Sequence, residues 1–402
     1  ESVLLHYRAT FLILLAGSIL VSLRQYIGEH IRCIADSGVD ERVINTYCFF
    51  TSTYTVVSIQ GMVIPSRRKE MQVVFRPGEV PHPGVGPVSK GDPIVHHAYY
   101  QWVPFVLFFQ ALLFYMPHYV WRKAEGGRLT FLVSGLHMAS LSLAETSVKT
   151  DNGVTVPSKQ ERDDKVQEIR TAFLNRLHLN RPWAYALSLC EILNFINVIV
   201  QIYLTNWFLG GAFLDLGHSV SGADFDKKMD PLDVVFPKVT KCIFHKYGPS
   251  GTIQRHDALC VMALNIVNEK IYTFLWFWFI ALAVVTGLGL IWRIITMILH
   301  SRLSTAFNKM VFSMACPGKY NPWNVLKVTH QYYFGDWLFL YYIAKNLDNY
   351  VFKELLERLA LDLEERRRSR YRNFPDVKED TLKKTDSETD KAYRRIPMYD
   401  SN

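Results

Sequence analysis

The sequence predicts an all-α membrane protein: a four-transmembrane-helix bundle with disulfide-stapled extracellular loops and a helical cytoplasmic cap. Two long segments carry no formal charge, the 20 residues from Trp102 to Trp121 and the 22 residues from Ile271 to Trp292. At 1.5 Å per residue, each would form a helix of about 30 Å, the thickness of the hydrocarbon layer of a bilayer. The third observation is that four of the six cysteines lie in two alternate loops, two in each.

The composition argues against nucleic-acid binding and against catalysis. The formal net charge is +8, but the sequence has neither a basic helix interleaved with aromatic residues nor zinc-finger spacing. Membrane lipid is therefore the expected partner rather than nucleic acid. The GxSxG, HExxH, Walker and GxGxxG patterns do not occur. We predict no enzymatic activity, no cofactor and no metal site.

The first segment, residues 1–28, is predicted to hold an N-terminal remnant and the first transmembrane helix. Its apolar run from Ala9 to Leu23 has 15 residues, so the helix must continue through Arg24 to span a bilayer. The Arg24 side chain has two interpretations: it snorkels to the lipid headgroups, or it faces a water-filled pore. The candidate pore-lining residues are Arg24, Gln25, Ser22 and Ser18.

Residues 29–98 form the first loop and residues 99–121 the second transmembrane helix. The Pro- and Gly-rich run at 76–87 predicts an extended chain in that loop, although short β-strands are compatible with the rest. Pro104 lies in the first turn of the helix, where a missing N–H costs little. Pro117 lies further along and should bend the helix or leave a carbonyl unpaired.

Residues 122–182 form the second loop and residues 183–207 the third transmembrane helix. The latter part of the second loop has the apolar spacing of an amphipathic helix. The third transmembrane helix carries four polar residues at steps of three and four, which place them on one face: Glu191, Asn194, Asn197 and Gln201. Two interpretations remain open for that face, interhelical hydrogen bonding or the lining of an aqueous path.

The remaining boundaries follow from composition. Residues 208–270 form the third loop and residues 271–292 the fourth transmembrane helix. Residues 293–363 are a cytoplasmic helical region, because apolar residues recur there at helical spacing. Residues 364–402 are densely charged and predict a disordered tail.

The cysteines indicate which loops share a side of the membrane. Four spans place the first and third loops on one side, and the second loop with both termini on the other. The first loop contains Cys33 and Cys48, the third contains Cys242 and Cys260, and the second contains no cysteine. This distribution predicts disulfide bonds on the oxidising, extracellular side. Four cysteines allow three connectivities.

Several segments together carry a family signature. They are TYC at Thr46–Cys48, YYQWVPFVLFFQALLFY from Tyr99, FPKVTKCIFHKYGPSG from Phe236, LNIVNEKIYTFLWFWF from Leu264 and FGDWLFLYYIAKNLD from Phe334. In these segments the sequence resembles the innexins, the gap-junction proteins of invertebrates.

The resemblance implies a plasma-membrane subunit that forms homo- or hetero-oligomers with other innexin subunits, in a ring of about eight around a pore. Such a ring would dock with the hemichannel of an adjacent cell through the first and third loops. It would pass ions and small molecules. The resemblance also implies an N-terminal helix in the cytoplasmic mouth of the pore. Too few residues precede Ala9 for that helix, so we expect part of the N-terminal segment to be missing here.

Bonds between the two cysteine-containing loops would join them into one unit, whereas bonds within each loop would leave them untethered. A nested arrangement pairs Cys33 with Cys260, both near a membrane span, and Cys48 with Cys242, both deeper in their loops. The innexin resemblance implies the same pairing.

Two alternative functions remain. The first is an undocked hemichannel that releases small molecules, as in the related pannexins, whose outer-loop glycans hinder docking. No Asn-x-Ser/Thr sequon occurs in this sequence, so docking stays open. The second is a four-span adhesion protein, but such proteins have shorter loops and would leave the polar face of the third helix unexplained.

Overall fold

The computed structural model describes residues 4–27, 31–35, 38–56, 82, 84–86, 88, 92–134, 136, 148–149, 155–156, 158–177, 179–221, 232–301, 305–316, 324–325, 328 and 333–373. Within these residues the principal helices are α1 Leu5–Ile27, α2 Glu41–Thr51, α3 Val103–Glu125, α4 Arg128–Val133, α5 Lys159–Asn175, α6 Arg181–Phe208, α7 Phe213–Ser221, α8 Leu232–Val235, α9 Ala263–Ser301, α10 Thr305–Ala315, α11 Phe334–Asn346 and α12 Asn349–Asn373. The strands are β1 Arg32–Ala35, β2 Thr53–Val56, β3 Ile94–His97, β4 Val148–Lys149, β5 Thr155–Val156, β6 Val239–Tyr247 and β7 Ile253–Val261.

Four of these helices, α1, α3, α6 and α9, are long and apolar enough to cross a membrane, which confirms the predicted four-span class. Helix α1 begins with a π-helical segment over Leu5–Thr10. Helix α9 has 39 residues and a length of about 58 Å. It therefore extends well beyond the predicted fourth span, residues 271–292, in both directions.

The chain forms two compact units, and the first comprises Glu1–Lys123 and Ser188–Arg293. Besides the greater part of the four long helices, it contains a five-stranded antiparallel sheet in the order β1-β7-β6-β2-β3. The third loop supplies the central hairpin, β6 and β7, and the first loop supplies the flanking strands. The sheet therefore joins the two cysteine-containing loops into one structure, more extensive than the short β-structure that the sequence predicted.

Helix α2 lies in the first loop and was not predicted from the sequence. Its N-cap, Asp40, accepts a hydrogen bond from the backbone N–H of Arg42 at 2.9 Å. Ile44 and Cys48 are buried and lie four residues apart, so one face of this short helix enters the core. Of the Pro- and Gly-rich run at 76–87, only residues 82 and 84–86 are among the described residues.

The second unit comprises Ala124–Leu187 and Ile294–Asn402. Helix α5 begins with a capping box in which Ser158 and Glu161 bond each other's backbone N–H groups. Its buried residues include Val166, Ile169 and Phe173, as expected for the predicted amphipathic helix. The predicted cytoplasmic helical region contains the helix pair α11 and α12, and α12 packs against α5.

The predicted boundary of the charged tail at residue 364 is wrong. Helix α12 continues to Asn373, because the charges at its end are arranged for a helix. Glu364 and Arg368 form an ion pair at 2.8 Å with the i, i+4 spacing that stabilises helices. The remainder of the predicted tail, residues 374–402, lies outside the described residues.

The sheet contains a buried histidine that predicts a dependence on pH. His97 of β3 lies with its Nε2 at 2.8 Å from Thr55 Oγ1 of β2. Burial, with a smaller contribution from the neighbouring His96, lowers the pKa of His97 from 6.5 to about 4. The unfolded segment therefore binds a proton between pH 6.5 and pH 4 where the folded sheet does not.

We expect the β2–β3 ladder to have constant protection from amide exchange above about pH 6.5 and to lose protection as the pH falls towards 4. The free energy of opening the ladder should fall by at most about 1.4 kcal/mol per pH unit. Hydrogen exchange, corrected for the intrinsic rate at each pH, measures it. The variant His97→Gln should lose this dependence, whereas His96→Gln, at an exposed position, should keep it. Equal pH dependence in both variants would contradict the assignment.

Candidate functional site

The pore-lining candidates on α1 do not lie on one face. Leu14, Ser18 and Val21 are buried at steps of four and three residues, so this side of α1 packs inside the unit. The Ser18 hydroxyl donates a hydrogen bond to the carbonyl of Pro104 on α3 at 2.8 Å. The Ser18 side chain therefore contacts the second span within the subunit, a position that argues against a pore-lining role.

The other three candidates divide between two sides of α1. Ser22 and Gln25 follow Ser18 at steps of four and three residues and are half-buried, so they flank the packed side. Arg24 is exposed, and its guanidinium makes no ion pair within the described part of the chain. Arg24 is thus the candidate that the fold leaves available to water, lipid or another subunit.

The polar face of α6 is turned towards α3 inside the helix bundle. Gln110 of α3 donates to the hydroxyl of Thr205 of α6 at 2.8 Å, and within α6 Gln201 donates to the amide oxygen of Asn197 at 3.3 Å. Gln110, Gln201 and Thr205 are completely buried, and Asn194 nearly so. Of the two predicted interpretations, this geometry favours interhelical hydrogen bonding over an aqueous path.

Pro104 lies in the first turn of α3 and Pro117 inside the helix, as predicted. Pro117 also affects the contact between α3 and α6. It is inside the helix, and since it has no N–H, it cannot bond the carbonyl of Leu113 four residues earlier. Asn197 Nδ2 of α6 donates to that carbonyl at 3.3 Å. The third span therefore supplies the hydrogen bond that the second span lacks, which a membrane interior otherwise penalises.

Glu191, the remaining residue of the predicted polar face, forms an ion pair with Arg293 of α9. The guanidinium donates from Nη2 to Oε1 at 2.6 Å and from Nε to Oε2 at 2.9 Å. Both side chains are only 15% exposed. Such a two-point pair satisfies a buried carboxylate, whereas removal of one partner would leave an uncompensated charge.

Helix α1 is also held by polar contacts that sequence reasoning did not find. His6 Nε2 lies 2.9 Å from Thr286 Oγ1 of α9, and Trp278 of α9 donates to the hydroxyl of Thr10 at 3.0 Å. The Tyr7 ring stacks on His118 of α3 with 3.6 Å between the ring centroids. Polar residues inside apolar segments indicate that such contacts exist. The sequence does not identify their partners, because these lie more than 100 residues away.

Two disulfide bonds connect the first and third loops, in the nested arrangement. Cys33 of β1 is directly opposite Cys260 of β7 and bonded to it, and Cys48 of α2 is bonded to Cys242 of β6. The sulfurs of Cys33, Cys48 and Cys260 lie within 4.8 Å of one another, so the bonds form one double bridge. Because these sulfurs are oxidised, they are not thiolate ligands for a metal ion.

The hairpin of β6 and β7 has a buried base and an exposed tip. Its base carries Cys242 and Cys260, both buried. At its tip, Tyr247 pairs with Ile253, and these side chains are 73% and 63% exposed. Exposed apolar residues on a rigid hairpin are typical of surfaces that contact another protein.

An ion cluster fixes the start of the hairpin to α9. Lys238 Nζ lies 2.7 Å from Asp233 and 3.3 Å from Glu269, whose side chain is 1% exposed. Burial by itself would lower the pKa of Lys238, but the two carboxylates outweigh it and raise this pKa. Lys238 therefore stays protonated at neutral pH.

Comparison with known proteins gives one family over nearly the whole chain. A family model described as Innexin matches residues 2–363. The chain is 47% identical over 359 residues to innexin inx7 of Drosophila melanogaster, which covers 89% of this chain and 78% of that protein. It is 42% identical over 367 residues to innexin inx2 of Schistocerca americana, covering 90% of this chain and 92% of that protein. Innexin shaking-B of Drosophila melanogaster is 37% identical over 365 residues, covering 89% and 88%.

The contact between Asn197 and Leu113 generates a double-mutant test. We expect Asn197→Ala to destabilise the bundle by about 1 kcal/mol, because it leaves the Leu113 carbonyl unpaired. Pro117→Ala restores the N–H that this carbonyl lacks, so Asn197→Ala should cost less in a Pro117→Ala background. Thermal unfolding of the detergent-purified protein compares the unaltered chain, the two single variants and the double variant.

Asn194→Ala is the matched control, since Asn194 is buried on the same helix but its Nδ2 has no hydrogen-bond partner in the described part of the chain. Asn194→Ala should destabilise the bundle by the same amount whether residue 117 is proline or alanine. Additive effects of Asn197→Ala and Pro117→Ala would contradict the proposed pairing.

Proposed function

Because the chain belongs to the innexin family, we propose that this gap-junction channel subunit forms an oligomeric pore that docks with its counterpart on an adjacent cell. It is a multi-pass plasma-membrane protein and a channel subunit, not an enzyme. It assembles with other innexin subunits in a ring of about eight, in contact with membrane lipid. The docked channel passes ions and small molecules between cells.

The double bridge is the observation that carries the docking proposal. A surface that docks with a second membrane protein must keep its shape without support from the bilayer. Here the first loop contributes α2, β1, β2 and β3, the third contributes β6 and β7, and the disulfides fix both to one sheet. A preorganised surface of this kind loses less conformational entropy when it binds.

The sidedness follows from the same bonds. Disulfides persist in the oxidising exterior, so residues 29–98 and 208–270 are the extracellular loops. Residues 122–182 and 293–363 then lie in the cytoplasm. Cys190 and Cys316, the two cysteines outside these loops, form no disulfide bond.

Arg24 is the residue that we propose to act in permeation. It is exposed near the end of α1 that leads into the first loop, and it does not share the side of the helix on which Ser18 bonds α3. A guanidinium beside a pore attracts anions and repels cations. If Arg24 faces lipid instead, it snorkels to the headgroups and leaves permeation unchanged.

The docking proposal predicts the effect of breaking the double bridge. We expect Cys48→Ser to lower the conductance between paired expressing cells by more than about tenfold, because a native disulfide contributes a few kcal/mol to the stability of the loops. Dual voltage clamp measures the conductance, and surface labelling checks that the subunit reaches the membrane.

The control is Cys190→Ser, which removes a buried free thiol of α6 and should leave conductance unchanged. Normal coupling by Cys48→Ser pairs would contradict the docking role. If the unaltered chain gives single-membrane currents but no coupling in paired cells, it acts as an undocked hemichannel.

The Arg24 proposal predicts a change in ion preference. We expect Arg24→Gln to shift the reversal potential in a salt gradient towards cation preference, since one positive charge per subunit leaves the pathway. Arg128→Gln, the same change at an exposed position of α4, is the control and should have no effect. An unchanged reversal potential and conductance in Arg24→Gln would support the lipid-facing position.

A further inference from the structure

A groove in the second unit lies between α5 and the last turns of α12. Its volume is about 410 Å³, and its lining includes Arg170, Asn175, Asp362, Arg366 and Ser369. The three α12 residues follow one another at steps of four and three, so they share the face of α12 that lies along α5. Ser369 is exposed to solvent at the end of this row.

Two arginines hold α12 to α5 in this groove. Arg170 pairs with both carboxylate oxygens of Asp362, at 2.8 Å for the contact between Nη2 and Oδ1. Arg366 donates from Nη1 to the backbone carbonyl of Leu174 at 3.2 Å. Leu174 is in the last turn of α5, which ends at Asn175. Arg366 therefore serves as a cation at a helix C-terminus, a favourable position.

The sequence around Ser369 is Arg366-Arg367-Arg368-Ser369-Arg370. Serine kinases whose peptide groove carries carboxylates select arginines two and three residues before the acceptor, since opposite charge decides which substrate binds. Kinases bind an extended segment, and Ser369 lies four residues from the end of α12, where a helix frays at low cost. The acceptor is thus exposed, flanked by the required charges and close to a helix end.

We propose that Ser369 is a phosphorylation site for an arginine-directed serine kinase. Its phosphate breaks the hydrogen bond from Arg366 of α12 to the Leu174 carbonyl of α5, a contact that we call the Arg366 latch. In the reaction, Ser369 Oγ attacks the γ-phosphoryl group of ATP. The bond from that phosphorus to the β–γ bridging oxygen breaks, ADP leaves, and the hydroxyl proton is released through the kinase base. The product carries a charge of about −2 and three acceptor oxygens.

Release of the latch follows from a competition for Arg366. The phosphate is three residues from Arg366 on the same helix, within reach of its guanidinium. A charged acceptor forms a hydrogen bond about twice as strong as a neutral carbonyl does, so Arg366 transfers from Leu174 to the phosphate.

The surroundings oppose an alternative in which the phosphate strengthens the contact. Asp362 and Glu365 also line the groove and repel the phosphate, and the last turns of both helices present carbonyls rather than N–H groups. Arg170 is already bonded to Asp362. The phosphate therefore loosens the C-terminal half of α12 and does not clamp it.

The test uses the full-length chain in detergent micelles, with Mg·ATP and the catalytic subunit of an arginine-directed serine kinase. Peptide mass spectrometry locates the phosphate. We expect phosphate at Ser369, none at that position in Ser369→Ala, and an unchanged level in Ser134→Ala, an exposed serine without flanking arginines. Arg366→Gln should slow the reaction by about tenfold, because it removes the arginine three residues before the acceptor.

Amide hydrogen exchange then measures whether phosphorylation releases the Arg366 latch. After phosphorylation we expect exchange of the last turn of α5 and of residues 364–373 to accelerate by about fivefold, as expected when a helix end loses a cation. Arg366→Gln without kinase should accelerate the same amides, whereas Ser369→Ala should not. The proposal is overturned if Ser369 stays unmodified while a control peptide is phosphorylated, or if the phosphorylated chain exchanges at the unmodified rate. Neither readout depends on conductance, so failure here is distinct from failure of the channel assignment.

Discussion

The double disulfide bridge is the constraint on which the organisation of the first unit depends. The two bonds connect cysteines that are 227 and 194 residues apart. In the chain-entropy account, closing a loop of that length restricts the unfolded chain by about 5 kcal/mol. Once Cys33 and Cys260 are bonded, the second bond closes only the 15 residues from Cys33 to Cys48 and the 18 residues from Cys242 to Cys260, so its contribution is about 4 kcal/mol. The first bond brings the loops together, and the second fixes α2 against the sheet.

Inside the helix bundle the governing constraint is different, because no water is available to satisfy backbone or side-chain polar groups. Pro117 and Asn197 show how one span compensates for another. The proline removes an N–H from α3, and the amide of Asn197 on α6 bonds the carbonyl that is left. Glu191 and Arg293 follow the same rule for charge. In each pair, removing one residue would leave an unpaired carbonyl or an unpaired charge inside the bundle, which would destabilise it.

In the second unit, α5 and α12 both bury apolar residues, and charged and polar contacts add to that burial where the two helices meet. Arg170 with Asp362 and Arg366 with the Leu174 carbonyl connect residues 192 positions apart. Contacts made by exposed charges respond to modification and salt far more than packed apolar contacts do. This places an adjustable contact in the unit that we assign to the cytoplasm, whereas disulfide bonds and buried interhelical contacts stabilise the first unit.

The sequence by itself determined the membrane class, the four spans, the family and the residues on which the site is built. These features depend on local quantities, namely uncharged length, aromatic ends, cysteine distribution and contiguous motifs. It also identified the polar face of α6 and the exceptional position of Pro117, since both follow from helical periodicity and from the missing N–H of proline. The tail boundary at 364 failed because dense charge predicts disorder on average, whereas the i, i+4 order of Glu364 and Arg368 favours a helix.

Only the tertiary structure decided which partners these residues have. In the folded chain Ser18 bonds the Pro104 carbonyl, whereas Arg24 stays exposed. The polar face of α6 contacts α3. Two loops far apart in the sequence together form a five-stranded sheet, and α2 lies in the first of them. The physical reason is that hydrogen bonds, ion pairs and strand pairing join groups from distant segments. Their geometry exists only once the helices have packed and the cysteines have paired.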